Sequence, residues 1–232
     1  MAITDSRGSA FLALLLLVPA PSIGTLLAMR ILPGPFGQAA YVLCKLWLLA
    51  FPIVWTLWID RGRLSWSPPR RGGLLAGAAA GILMGGLILA AYRVAGGRWL
   101  DPAHVRQVAG RNGLVSPALY LAFAAYLVLV NSLLEEYVWR WFVFRKGELL
   151  LPGWAAVLAA GCFFTIHHVI ALRAQFGWTA TVLGSLGVLV GGLVWSWFYW
   201  RYRSIWPGYL CHAAVDVAVL AIGWQLLFGA GN

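Results

Sequence analysis

Seven long apolar stretches follow one another along the chain, separated by short polar breaks. Each is close to the roughly 20 residues that a helix needs to cross hydrocarbon. The pattern predicts spans over Ser9 to Leu32, Tyr41 to Ile59, Leu74 to Val94, Pro117 to Phe144, Trp154 to Leu172, Trp178 to Trp200 and Trp206 to Phe228. The first opens like a signal peptide after a polar start, residues 1–8. It then stays apolar through Pro19-Ala20-Pro21 to Ala28, so it reads as a kinked span. The second carries Lys45 near its start and Pro52 inside it. In the third, Gly77, Gly81, Gly85 and Gly86 suit close helix packing. Asp60 to Gly73 is a basic loop, and Arg98 to Gly113 holds a short interfacial helix opening at Asp101-Pro102. Splitting the first run, or counting that short helix, makes eight. The predicted fold is an all-α polytopic transmembrane helical bundle of seven to eight spans. Residues 1–232 form one integral membrane domain, and no internal repeat is detectable.

Composition excludes an ordinary soluble domain: 62% of residues are hydrophobic and 10% charged, against about 25% charged in soluble chains. The net charge of +10 raises the question of nucleic acid. The basic residues are scattered singly and in pairs rather than gathered in one patch, so they read as membrane-flank charges and no nucleic-acid partner is expected. The partner they imply is the lipid bilayer. Trp58, Trp66, Trp99, Trp154, Trp178 and Trp206 lie near span ends, as interfacial belts do. Cys44, Cys162 and Cys211 are lone cysteines in apolar runs and read as small core residues. Counting Lys and Arg in the breaks gives nine on the N-terminal side against six opposite, which sets the N-terminus in the cytoplasm. The expected location is the cytoplasmic membrane of a prokaryote.

One stretch breaks the apolar rule. Asn131-Ser132-Leu133-Leu134-Glu135-Glu136-Tyr137-Val138-Trp139-Arg140 places two carboxylates and a guanidinium inside the fourth span. A charge at bilayer depth costs roughly 2.5–3.5 kcal/mol on insertion scales, so such groups are paired or face a polar cavity. Glu136 and Arg140 are four apart and can neutralise each other on one helix face. Glu135 is turned about 100° from Glu136 and is free to point elsewhere. Three of the seven acids (Glu135, Glu136, Asp216) and three of the four histidines (His167, His168, His212) fall within apolar segments. Scarce polar groups in the wrong solvent argue for one shared site, reachable from the cytoplasmic half of the bundle.

The residue types suggest hydrolysis. A desolvated Glu with a nearby His can hold and deprotonate a water. His212 and Asp216, four apart, share a face, so the carboxylate can orient the imidazole and the pair can support an oxyanion. Glu135, His168 and His212 can alternatively ligate zinc with a position left open. There is no HExxH, no Gly-x-Ser-x-Gly, and no serine or cysteine in a nucleophile setting.

Glu135-Glu136-x-x-x-Arg140, Phe164-x-x-x-His168 and His212-x-x-x-Asp216, in that order on successive motif helices, resemble the CPBP family of intramembrane endopeptidases. That family includes type II CAAX prenyl endopeptidases and bacteriocin-related Abi proteins. The likeness covers about residues 115–220, the expected catalytic core, and includes Gly192 to Trp195 and Trp206-Pro207-Gly208. It implies a glutamate-based peptidase in which Glu135 and His168 hold the attacking water. Glu136 and Arg140 then shape the site, and His212 with its partner forms the oxyanion hole. No cofactor is required on this reading, with zinc as the alternative. The implied substrate is a peptide or protein in or at the membrane.

Two features depart from the family pattern. Asp216 stands where Asn is usual. Phe163-x-x-x-His167 also fits the middle motif, with His168 preferred because Gly161 and Thr165 share its face and would admit the Glu helix. The other functions open to this constellation are a transporter or proton relay, and a membrane scaffold that has lost catalysis.

Overall fold

Several helices begin where the sequence supplies a capping side chain or a proline. The structure, a computed structural model, describes residues 6–229. Ser6 opens α1 (Arg7–Ile31), its hydroxyl oxygen accepting from the Ser9 N–H at 3.1 Å. Proline lacks the N–H a helix interior uses, and α1 is relayed at Val18, where a new helical segment starts on Pro19. Helix α2 (Pro35–Ile59) starts on Pro35 behind Gly34, whose φ of 116° suits glycine alone. Asp101 caps α4 (Pro102–Arg111), which follows α3 (Leu74–Trp99), and accepts from the Ala103 N–H at 2.9 Å. Ser116 likewise caps α5 (Pro117–Glu148). Then come α6 (Gly153–Gln175), α7 (Trp178–Tyr202) and α8 (Trp206–Phe228).

Among the described residues seven helices are long and apolar enough to cross a membrane. The eight-span option falls away because α1 is one 25-residue run and α4 has 10 residues, about half of what a crossing takes. Helix α2 starts at Pro35 rather than the expected Tyr41. Gly37 interrupts the apolar pattern there, yet the chain needs it, because a Cβ at this position would run into the Leu32 carbonyl. The longer helix puts Lys45 ten residues in, about 15 Å down the axis.

Small residues decide which helices meet. A Cβ on Gly81 would lie 2.8 Å from Ala214 Cβ and 2.9 Å from Cys211 Cα, and one on Gly77 would overlap the Pro207 backbone. The glycine face of α3 thus receives α8 at Gly77, Gly81 and Gly85, whereas Gly86 has open space beside it and takes no part. Gly81→Val is expected to cost about 1–3 kcal/mol by overpacking, read as a lower thermal midpoint of the purified protein than that of Gly86→Val.

On α6, Gly161 faces α7. Its Cβ would sit 2.7 Å from Leu193 Cδ2, and one on Gly192 would lie 3.3 Å from Gly161 Cα. Gly161 therefore seats α7, whereas it was expected to admit the Glu helix. The second half of α5, Val138 to Phe144, is buried. It is surrounded by α1, α2, α6, α7 and α8 in one cluster. Cys211 is in that core, but Cys162 is exposed and is no core residue. Trp58, Trp66, Trp154 and Trp178 are exposed, as belt residues are.

Candidate active site

Helix α5 changes its winding around the two glutamates. An α-helical stretch, Ser132–Glu136, lies between wider π-helical turns at Tyr126–Asn131 and Tyr137–Phe144. Such turns redirect side chains and are frequent at functional sites. Both carboxylates point inward: Glu135 is 8% exposed and Glu136 is fully buried.

Glu136 is the hub. Its Oε1 lies 3.0 Å from Arg140 Nη1 and 3.1 Å from His212 Nδ1. Arg140 is fully buried, its Nη2 donating to the Gly192 carbonyl at 3.3 Å. Its guanidinium is also held between the Phe164 and Trp195 rings, 4.6 and 5.1 Å from their centroids. The contact with Glu136 is close in charge but not aligned as a hydrogen bond at Nη1. Gly208 of α8 lets Glu136 fit, since a Cβ there would strike Glu136 Oε2.

Glu135 lies between two groups of imidazoles. On one side its carboxylate and one ring nitrogen each of His167 and His168 all lie within 4.8 Å of one another. On the other, its Oε2 is 3.8 Å from His212 Nε2. His168 Nδ1 is 2.9 Å from the Phe164 carbonyl. A carbonyl only accepts, so Nδ1 carries the proton and Nε2 is left as an acceptor. His212 stacks on Trp195 with centroids 3.8 Å apart, and its Nε2 is also 3.8 Å from Asp216 Oδ2. Glu135, Glu136, Arg140, His168, His212 and Asp216 therefore converge from α5, α6 and α8. His167 converges with them, stacked on Trp139.

Among the described residues Glu135, His167 and His168 form a compact set that could hold a metal ion, sharing Glu135 and His168 with the expected Glu135, His168 and His212. The adjacent histidines reach the same carboxylate together, while His212 is drawn to Glu136. Two imidazoles and a carboxylate suit zinc, and His167 Nδ1 is buried without a hydrogen-bond partner.

Several neighbours were not singled out by sequence. Ser132 Oγ lies 2.7 Å from both Asp216 Oδ2 and the Leu127 carbonyl. Asn131 and the Lys45 ammonium both act electrostatically on Glu135, and Lys45 also acts on His167 and His168. Lys45 carried the same signal as the glutamates, a charge in an apolar run. Placing the helix start at Tyr41 hid its depth. Phe164 and Trp195 enter only through the family-like motifs, because an aromatic in an apolar span carries no signal of its own.

Residues 117–218 match the family model for type II CAAX prenyl endopeptidase Rce1-like proteins. No curated protein matches the chain, and no solved structure does. The matched segment runs from the start of α5 into α8 and contains every motif residue of the site. The chain is an integral multi-pass membrane protein by its seven apolar helices and this likeness.

Proposed function

We propose, on the premise that residues 117–218 belong to the Rce1-like family of CAAX-type membrane endopeptidases, that Glu135 and a histidine activate a water. That water then hydrolyses a peptide bond in a membrane-associated protein or peptide, a lipidated one included. The observation that carries this reading is the position of Glu135, with the His167–His168 pair on one side and His212 on the other. Glu135 is the general base, and His168 Nε2 is an acceptor able to share the water's second hydrogen. Glu136 receives Nδ1–H of His212 and, with Arg140, holds the ring. As an imidazolium, His212 donates from Nε2 to the developing oxyanion. The catalytic core is about 115–220, and positive-inside counting supports a cytoplasmic N-terminus.

If zinc is bound, Glu135, His167 and His168 would hold it, and the metal would supply Lewis-acid polarisation of the scissile carbonyl. Hydrolysis of an internally quenched peptide by purified wild type and Glu135→Ala tests the peptidase reading, and equal turnover would remove it. Metal analysis and chelator treatment of the same preparation separate the water-glutamate version from the zinc version.

Asp216 has a defined part. A hydroxyl has one proton, so Ser132 cannot donate to both oxygens that it touches. Donating to Asp216, it holds an acceptor beside His212 that orients the imidazole and gives nothing to the oxyanion. In Asp216→Asn the amide has two N–H groups, one for Ser132 Oγ and one free. Turnover by Asp216→Asn is expected to stay within roughly threefold of wild type or exceed it, and Asp216→Ala to lose about tenfold or more. An Asn variant as slow as the Ala variant would contradict this assignment.

A further inference from the structure

A polar concavity lies beyond the glutamates, where α2, α5 and α7 end. It has a volume of about 650 Å³, and among the described residues Arg61, Arg63, Arg145, Lys146 and Arg203 line it with Asp60 and Glu148 as the acids. A smaller hollow of about 320 Å³ shares Arg145 and Arg203 and adds Arg70 and Arg71. Together that is seven cations against two carboxylates among the described residues. Lys146 pairs with Asp60 at 2.7 Å, and Arg203 meets Glu148 through two hydrogen bonds. Arg61, Arg63 and Arg145 hold no ion pair with a carboxylate among the described residues, and all three are exposed.

Flanking charge on a membrane protein needs only to lie near span ends. It does not need to converge. Here the loop is fastened so that it converges: Ser204 donates to the Ser67 carbonyl at 2.7 Å, and the Trp206 indole donates to the Trp66 carbonyl at 3.0 Å. Arg61 and Arg203 both take the left-handed backbone conformation, φ 52° and 53°, which residues with a side chain seldom adopt. Both turn into the same hollow. Like charges held together in a concavity repel, and an anion relieves them. Trp141 and Phe142, both buried, belong to the lining, with Arg145 and Lys146 over their rings. The site thus presents exposed cations at the level where the spans end.

We infer that this basic hollow binds a phosphate group, that of an anionic lipid headgroup whose chains lie along the protein below it. The volume is of the size that holds a small ligand, and headgroup phosphates occur at this depth. The site makes no use of Glu135 chemistry and stands apart from the peptidase reading.

The test uses the full chain in neutral detergent. Dioleoylphosphatidylglycerol, dioleoylphosphatidylcholine and inorganic phosphate are added separately, and bound lipid is counted by native mass spectrometry alongside the thermal midpoint. Phosphatidylglycerol is expected to bind at least fivefold more tightly than phosphatidylcholine and to raise the midpoint. The triple substitution Arg61→Gln, Arg63→Gln, Arg145→Gln is expected to abolish that difference. A charge-matched control, Arg93→Gln, Arg98→Gln, Arg111→Gln, should keep it. Stabilisation of wild type by inorganic phosphate alone, lost in the same triple variant, would keep the site and assign it to a free phosphate. Equal binding by the triple variant and the control, or no preference for the anionic lipid, would overturn the inference. If the triple variant fails to fold, Arg145→Gln alone carries the comparison.

Discussion

Glu135→Gln is expected to lower kcat for a cleavable membrane peptide by about 10²–10⁴-fold, the usual contribution of a positioned general base. The substitution keeps the shape of the side chain, and its amide can still hydrogen-bond the ring nitrogens nearby. What it removes is the ability to take a proton. Because Glu135 sits at the edge of the buried cluster, 8% exposed, rather than in the Glu136–Arg140 pair, the fold should survive. An unchanged thermal midpoint with lost turnover is therefore the signature. KM should move little, since the carboxylate contributes to the transition state more than to ground-state binding. A variant that melts early would move Glu135 from chemistry to structure. One that retains turnover would leave the constellation to proton relay or scaffolding.

Arg140→Ala should have the largest effect on stability. Removing one partner of a buried ion pair costs about 3–5 kcal/mol, because the other charge stays behind unpaired. Glu136 would lose its guanidinium and keep only His212, with Oε2 already lacking a hydrogen-bond partner. Phe164 and Trp195 would lose the group that fills the space between them. A loss of that size lowers the thermal midpoint by on the order of ten degrees for a chain of this length, and activity goes with it because His212 is no longer held. Differential scanning fluorimetry in detergent measures the shift. The paired substitution Glu136→Gln with Arg140→Met is the informative companion. If it restores much of the midpoint but none of the turnover, the pair is costly to break yet replaceable for folding. A midpoint for Arg140→Ala within two or three degrees of wild type would show that the cation is not needed to balance Glu136.

The seven apolar helices could be read from the chain because hydrocarbon imposes one rule on every span. Runs such as Leu74 to Val94 and Trp178 to Trp200 obey it locally, with no knowledge of their neighbours. The motif residues were legible for the same reason: Glu135, Glu136, Arg140, His167, His168, His212 and Asp216 are conspicuous where side chains should be apolar. Spacing by four also linked Glu136 to Arg140 within one helix, and the structure has that pair at 3.0 Å.

Relations between helices could not be read this way. That His212 Nδ1 meets Glu136, that His167 stands with His168 beside Glu135, and that Gly161 admits α7 instead of α5 depend on crossing angles set by small residues on two partners at once. The depth of Lys45 depended on where α2 starts, which a glycine contact with the Leu32 carbonyl decides. The basic hollow is the clearest case. Its arginines come from a loop and two helix ends up to 142 positions apart, Arg61 to Arg203. Along the chain they read as scattered flank charges. Sequence alone determined which groups had to escape the hydrocarbon, because solvation acts on each residue singly. Only packing in three dimensions decided which of them meet, because contact distance belongs to pairs.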